Sequence, residues 1–197
     1  MDNTLKNSRS KTRKLVVIGM LGGISIFLGL TPLGIIHLPV MNLTIMHIPV
    51  IIGAILEGPL VGGAIGLIFG LFSMYQNITA PNLTSFIFMN PIIALLPRIL
   101  IGIVTYYVYT FIKNKIKNKS ISIGVASIAG TLTNTIGVLG LTYILYLDRY
   151  AAAKQISTDM VAGALLTVIG TNGVAEAIAS AVIAIPVVTA ISKIRKF

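Results

Sequence analysis

Long apolar runs punctuated by tight clusters of Lys and Arg constrain this chain more than any other feature. Leu15 to Leu30, Ile99 to Ile112 and Ile178 to Ile191 hold almost no charge, and several extend to the ~20 residues that cross a ~30 Å hydrocarbon layer. A chain of 197 residues that is 55% hydrophobic and only 10% charged cannot bury so much apolar surface in one soluble core, so lipid must cover much of it. The sequence therefore predicts an all-α membrane protein.

The formal net charge of +10 would suggest nucleic acid on a soluble surface, but its distribution argues otherwise. Lys6, Arg9, Lys11, Arg13 and Lys14 precede the first apolar run. Lys113, Lys115, Lys117 and Lys119 sit mid-chain, and Lys193, Arg195 and Lys196 close it. By the positive-inside rule all three clusters face the cytoplasm, so an even number of crossings separates each from the next and both termini are cytoplasmic. Nucleic-acid binding is set aside. With no Cys there is no disulfide framework and no thiolate metal site. The basic start and following apolar run resemble a secretory signal, but the run is long and no small-x-small site is evident near Thr31 to Gly34, so it reads as the first span.

Spans are expected at about 14–31, 45–56, 60–75, 86 or 91 to 112, 121–147 and 160–192, with Asn90-Pro91 placing the well-formed part of the fourth at 91, giving about six helices. The second covers only ~18 Å and meets the third at a tight Glu57-Gly58-Pro59 turn, so these two also suit a re-entrant hairpin; cluster parity permits six spans or four. Gly62, Gly66 and Gly70 favour six, because they form a small-residue stripe that admits another helix closely. An apolar loop with His37, Pro39 and Asn42 follows the first span. The neutral loop from Tyr75 to Ser85 and a loop holding Asp148, Arg149, Lys154 and Asp159 are expected outside. No repeat or low-complexity tract divides the chain.

No Gly-Lys dipeptide is present, so the phosphate-binding loop of an ATPase is missing. Two histidines and five acids make no metal-ligand or nucleophile-base spacing, which argues against an enzyme and implies no cofactor. What remains is polar chemistry inside apolar helices, which costs several kcal/mol unless the group is paired or faces a cavity. Arg98 and Glu176 stand out, ~10–18 Å and ~24 Å from the outer helix starts. Arg98 either neutralises an anionic group on a ligand or pairs with Glu176, and Asn172 lies one turn above Glu176. Pro97 withdraws a backbone donor and either frees a carbonyl near Ile93 to face a cavity or simply kinks the helix.

Other candidates carry two readings each. Asn90 before Pro91 is a helix cap or a ligand contact. Asn134 and Asn172 bond a ligand or pair between helices. Tyr143 and Tyr146 are interfacial anchors or pocket walls. His47 before Pro49 is a satisfied helix-start residue or a ligand contact. Gly19 and Gly23, four residues apart, share one face of the first helix for close approach by an internal helix or a separate subunit.

Over nearly its full length the chain resembles the substrate-binding S-components of energy-coupling factor (ECF) vitamin transporters. The resemblance rests on Thr31-Pro32-Leu33-Gly34, on Met46-His47-Ile48-Pro49-Val50-Ile51-Ile52-Gly53-Ala54 leading to Glu57-Gly58-Pro59, and on Asn90-Pro91 with Leu96-Pro97-Arg98. Thr133-Asn134-Thr135 and Asn172-Gly173 with Glu176-Ala177 complete it. It implies a six-helix substrate-binding membrane domain over residues 14–192, flanked by a basic cytoplasmic segment at 1–13 and a basic tail at 193–197. It also implies a pocket in the outer half from helices four to six, a cap from the loop between helices one and two, and residence in the bacterial cell membrane. Expected partners are a vitamin ligand, a membrane T-component and two cytoplasmic ATPases that drive uptake while the S-component topples in the bilayer. Where the family commonly has Ala-x-x-x-Ala on helix one for the T-component, this chain has Gly19 and Gly23. The pattern looks most like the pantothenate-type S-components. An ion-coupled secondary transporter of a small anion and a non-transporting scaffold are the competing expectations.

Overall fold

The computed structural model describes residues 2–37 and 42–194. Pro39 of the first loop and Arg195 and Lys196 of the last basic cluster lie outside the described residues. Eight α-helices and one short antiparallel strand pair follow in order: α1 (Asp2–Leu30), β1 (Ile35–His37), β2 (Asn42–Thr44), α2 (Ile48–Glu57), α3 (Pro59–Thr79), α4 (Ser85–Phe88), α5 (Pro91–Lys115), α6 (Lys119–Lys154), α7 (Thr158–Val168) and α8 (Val174–Ile194). A π-helical turn, Ile169–Gly173, joins α7 to α8 into one continuous rod.

Local sequence sets most helix ends. Asn90 caps α5 by accepting a hydrogen bond from the Ile92 amide at 2.9 Å, with Pro91 at the first helical position. Asn118 caps α6 in the same way, accepting from Ser120 and Ile121. Gly58 takes φ 101°, a conformation closed to most side chains, and this turns the chain from α2 directly into α3.

Side-chain neighbours establish the direction of each helix that traverses the bundle. Gly22 packs on Ile68, and Gly29 on Phe72, so α1 and α3 run parallel. Between them α2 returns: Met46 lies against Gly29, Gly53 lies against Leu21, and Glu57 meets Arg13 at 2.9 Å. Gly62 faces Gly102 and Gly70 faces Ala94, making α5 antiparallel to α3. Gly130 against Thr105 and Gly137 against Pro97 reverse the chain again into α6; Gly124 against Ile185 and Gly173 against Thr135 reverse it into α7–α8. The chain thus traverses the bundle six times, and Arg13, Lys14, Lys113, Lys115, Lys117, Lys119 and Lys193 gather at one end, hereafter the basic end. Cluster parity anticipates this arrangement.

Among the described residues, five helical rods are long and apolar enough to cross a membrane; α2, at ten residues, is not. It starts beside Gly29 and ends on Arg13, so it is a traverse and not a re-entrant loop. It can be short because it never meets lipid: Val50, Ile51 and Ala54 have no exposed surface, and α1, α3, α5 and α8 enclose it. The strand pair, with Ile35 opposite Thr44, fills the remaining height.

Two expected boundaries move. The basic residues from 2 to 14 are helical and continuous with the first span, since no Gly or Pro interrupts them before Gly19. The expected outer loop around Asp148 is helix as far as Lys154, after a kink at Tyr146 (φ −137°). Its apolar face explains the difference: Tyr150 and Ala151 are buried in a small core with Val161 and Leu165, so helix continues where charge alone suggested a loop.

Candidate functional site

Arg98 sits two turns into α5, in the half of the bundle away from the basic end, and is 5% exposed. Pro97 explains how it is held. Without an amide hydrogen, Pro97 cannot bond the Ile93 carbonyl one turn earlier, and the Arg98 Nη1 donates to that carbonyl at 2.8 Å. The freed carbonyl therefore does not face the cavity; it anchors the guanidinium. Phe88 and Phe69 flank the group, with ring centroids 5.0 and 5.6 Å from the guanidinium carbon. Its buried Nε has no hydrogen-bond partner.

The guanidinium lines a cavity of about 280 Å³ together with Asn134, Asn172 and Glu176. Four candidates separated by up to 78 positions in the sequence thus share one space. Ser73 from α3, Thr135 from α6 and Thr44 from β2 complete its polar wall. The Asn134 Oδ1 is buried without a partner. Glu176 accepts a hydrogen bond from the Thr44 amide at 2.8 Å, which fastens the strand pair to α8 across the cavity. No ion pair joins Arg98 to Glu176. The alternative in which these two intramembrane charges simply neutralise each other is therefore not what the structure contains.

An unpaired buried guanidinium, an unsatisfied amide oxygen and a carboxylate form a complementary set. The cation suits an anion, and the two oxygen acceptors suit hydroxyl or N–H donors. The π turn places Asn172 here. It inserts one extra residue per turn just before Glu176, and such turns are frequent at functional sites.

Three other candidates lie outside this cavity. His47 is 1% exposed and its Nε2 is 2.9 Å from the Thr131 hydroxyl, which donates to Ser180, which in turn donates to the Ala177 carbonyl. With each hydroxyl hydrogen already committed, the Nε2 is the donor, and the chain ties the start of α2 to α6 and α8. Asn90, besides capping α5, donates to the Tyr146 hydroxyl at 3.2 Å, beside the kink. Tyr143 is 44% exposed on an apolar groove between α6 and α7, where Leu139 separates it from the polar cavity.

Gly19 and Gly23 have no neighbour within 4 Å of where a side chain would begin. Leu15, Met20 and Phe27 on the same helix are likewise exposed, so no internal helix among the described residues covers this face.

Sequence reasoning missed Thr44, Ser73, Thr135 and Phe69 as lining residues. Ser73, a polar residue in an apolar helix, carried the same signal that picked out Asn134. Thr44 contributes its backbone amide, for which no side-chain signal exists.

Six traverses around a buried polar cavity define a polytopic membrane protein. The sequence matches the family described as "ECF transporter, substrate-specific component" over residues 13–188. It is also 31% identical over 145 residues, 66% of this chain and 68% of the other, to the pantothenic acid transporter PanT of Lactococcus lactis subsp. cremoris (strain MG1363). The chain belongs to the substrate-specific component family of ECF transporters, as its motifs suggested, and is a multi-pass cell-membrane protein. That membership makes it a substrate-binding, non-enzymatic subunit of a transporter, and it sets aside the secondary-transporter and scaffold readings.

Proposed function

We propose that this chain captures pantothenate from outside the cell and hands it to partner subunits for ATP-driven uptake. The observation that carries the reading is the unpaired Arg98 guanidinium, buried in a cavity that also holds an unsatisfied Asn134 oxygen. Pantothenate brings one carboxylate, an amide N–H and two hydroxyls. Its carboxylate would take the Arg98 Nε edge, and its N–H and hydroxyl donors would meet Asn134, Asn172 and Glu176. At about 280 Å³ the cavity lies just below the ~300 Å³ at which pockets for drug-sized ligands begin, which suits a compact vitamin over a long flat one. The 31% identity to a pantothenic acid transporter supports the same ligand.

The basic end is the cytoplasmic one in this reading, so the cavity lies in the outer half, with the strand pair between α1 and α2 as its cover. Release of the Thr44–Glu176 hydrogen bond would open it. With no phosphate-binding loop in the chain, ATP hydrolysis falls to two partner ATPases acting through a membrane T-component. The open Gly19–Gly23 face of α1 is the surface on which that T-component would pack.

The test is a thermal-shift titration of the detergent-purified chain against B-vitamins and their precursors. Pantothenate at ~100 times its dissociation constant should stabilise the fold by about 2.7 kcal/mol. Arg98→Gln should weaken binding by about 10- to 100-fold, the worth of a charge-assisted hydrogen bond. A selective shift with an uncharged vitamin that survives Arg98→Gln would overturn the assignment.

A further inference from the structure

A one-turn helix links the solute cavity to a cation outside it. The helix α4 (Ser85–Phe88) lies between α3 and α5, and successive helical residues turn by about 100°, so Phe86 and Phe88 leave it on nearly opposite sides. Phe88 faces inward: it lines the solute cavity, and its ring centroid is 5.0 Å from the Arg98 guanidinium carbon. Phe86 faces α6. The Tyr146 ring meets it edge-on, with 5.5 Å between centroids and 67° between planes, and the Arg149 guanidinium carbon is 4.3 Å from its centre. Each side of the turn thus sets a phenyl ring against an arginine. The described residues lining the solute cavity include Phe88 but not Phe86, Tyr146 or Arg149.

A single turn has too few hydrogen bonds to fix its own orientation, so contacts on its sides must do so. At its start, the Ser85 hydroxyl donates to the Asn77 side-chain oxygen at 2.8 Å; just past its end, Asn90 donates to the Tyr146 hydroxyl. Both ties leave rotation about the helix axis open, and the two rings oppose that rotation. Arg149 is exposed, yet it is held beside α4 because Tyr150 and Ala151, which follow it, are buried in the same small core as Ile87. A rotation that carries Phe86 off Tyr146 and Arg149 carries Phe88 off Arg98. The Arg98 guanidinium is hydrogen-bonded through Nη1 to Ile93, and the rings of Phe88 and Phe69 restrain its remaining freedom.

We propose that Arg149 and Tyr146 are positioning residues for the anion contact: by clasping Phe86 they hold α4 so that Phe88 keeps the Arg98 guanidinium aimed into the cavity. Neither residue touches the solute. The inference rests on the reading of Arg98 as the partner of a carboxylate, and it makes the clasp matter only to a solute that carries one.

The experiment titrates the full detergent-purified chain with pantothenate and with pantothenol, in which a primary alcohol replaces the carboxylate. It also follows hydrogen exchange of the Ile87, Met89 and Asn90 amides without ligand. These amides donate to the carbonyls of Thr84, Ser85 and Ile87, so their exchange reports opening of the turn. Arg149→Gln should speed that exchange about three-fold and weaken pantothenate about three-fold, the worth of one exposed cation–π contact, with pantothenol within about 1.5-fold. Arg149→Lys should restore most of both. Phe86→Leu removes the Tyr146 and Arg149 contacts together and should weaken pantothenate about ten-fold. Adding Arg149→Gln to it should change nothing further, because Arg149 acts through Phe86. Equal losses for the two ligands would make α4 a structural element alone and overturn the inference. So would losses that multiply to about 30-fold in the double variant, which would make Arg149 an independent surface charge that attracts anions. Unchanged exchange in Arg149→Gln would show that no clasp exists. Equal affinity of the wild-type chain for both ligands would overturn the Arg98 reading and this inference with it, while the exchange result, which needs no ligand, would still decide whether Arg149 holds α4.

Discussion

Two stripes of glycine four residues apart read alike in the sequence and end in opposite places. On α3, Gly62, Gly66 and Gly70 lie against α5 so closely that a methyl group at Gly66 would collide with the Arg98 carbonyl, and one at Gly70 would sit 2.7 Å from that of Ala94. On α1, Gly19 and Gly23 face open space. A small-residue stripe states that something can approach; it does not state what. On α3 the approach is spent inside the molecule, and it has a functional consequence, because it seats the Arg98 turn of α5. On α1 it remains available, on a span of which only 11% is buried. Such exposure in a helix carrying close-approach residues is what a subunit interface in lipid requires, where packing and not hydrophobic burial drives association.

The contrast can be tested by adding one methyl group at a time. The largest effect belongs to Gly66→Ala, where the obstructing atoms are backbone and cannot swing aside: a loss of about 3 kcal/mol or more, at or above the upper end of overpacking costs, read by unfolding in mixed detergent. A neutral result would mean that α3 and α5 pack less tightly than described here. Gly137→Ala should lie between, at about 1–2 kcal/mol, because its methyl would stand 3.0 Å from the Pro97 ring. This variant also sharpens the site, since pushing Pro97 shifts the guanidinium next to it, so affinity for the proposed ligand should fall alongside stability. The smallest effect, with the opposite sign, belongs to Gly23→Ala. It meets no atom within 4 Å and should raise stability by about 0.5 kcal/mol through helix propensity. Gly23→Leu should likewise leave the isolated chain within about 0.5 kcal/mol while weakening its association with the proposed membrane partner, measured by co-purification. Destabilisation of the isolated chain by Gly23→Leu would show that some internal segment covers the face after all.

Much of the architecture was legible without coordinates. Apolar runs marked the spans, cluster parity required an even number of traverses between basic groups, and Asn90-Pro91 marked the start of α5 to the residue. The site was legible in part. Arg98, Asn134, Asn172 and Glu176 stood out because a polar group in an apolar helix demands a reason, and all four line one cavity. His47, Asn90 and Tyr143 stood out on the same signal, yet His47 and Asn90 serve bonds within the fold and Tyr143 faces an apolar groove. The rule flags a polar group that needs a partner and cannot tell whether the protein already supplies one. The helix beyond Tyr146 escaped notice because its burial depends on α7, which only the folded chain brings alongside.

Chemistry confined to single residues or their near neighbours was therefore set by sequence: membrane residence by apolar length, the parity of traverses between basic clusters by where those clusters fall, helix starts by Asn and Pro. The fate of each exceptional group was decided by tertiary structure. Whether Ile93's freed carbonyl meets a cavity or a guanidinium, whether Arg98 meets Glu176 or leaves its Nε unpaired, and whether a glycine face is filled or open all depend on which helix lies opposite. Those distances are set jointly by six packed traverses and by a π turn that re-aims one residue. A hydrogen bond or a methyl contact is won or lost within about an ångström, a tolerance that spacing along one helix does not control but packing between helices does.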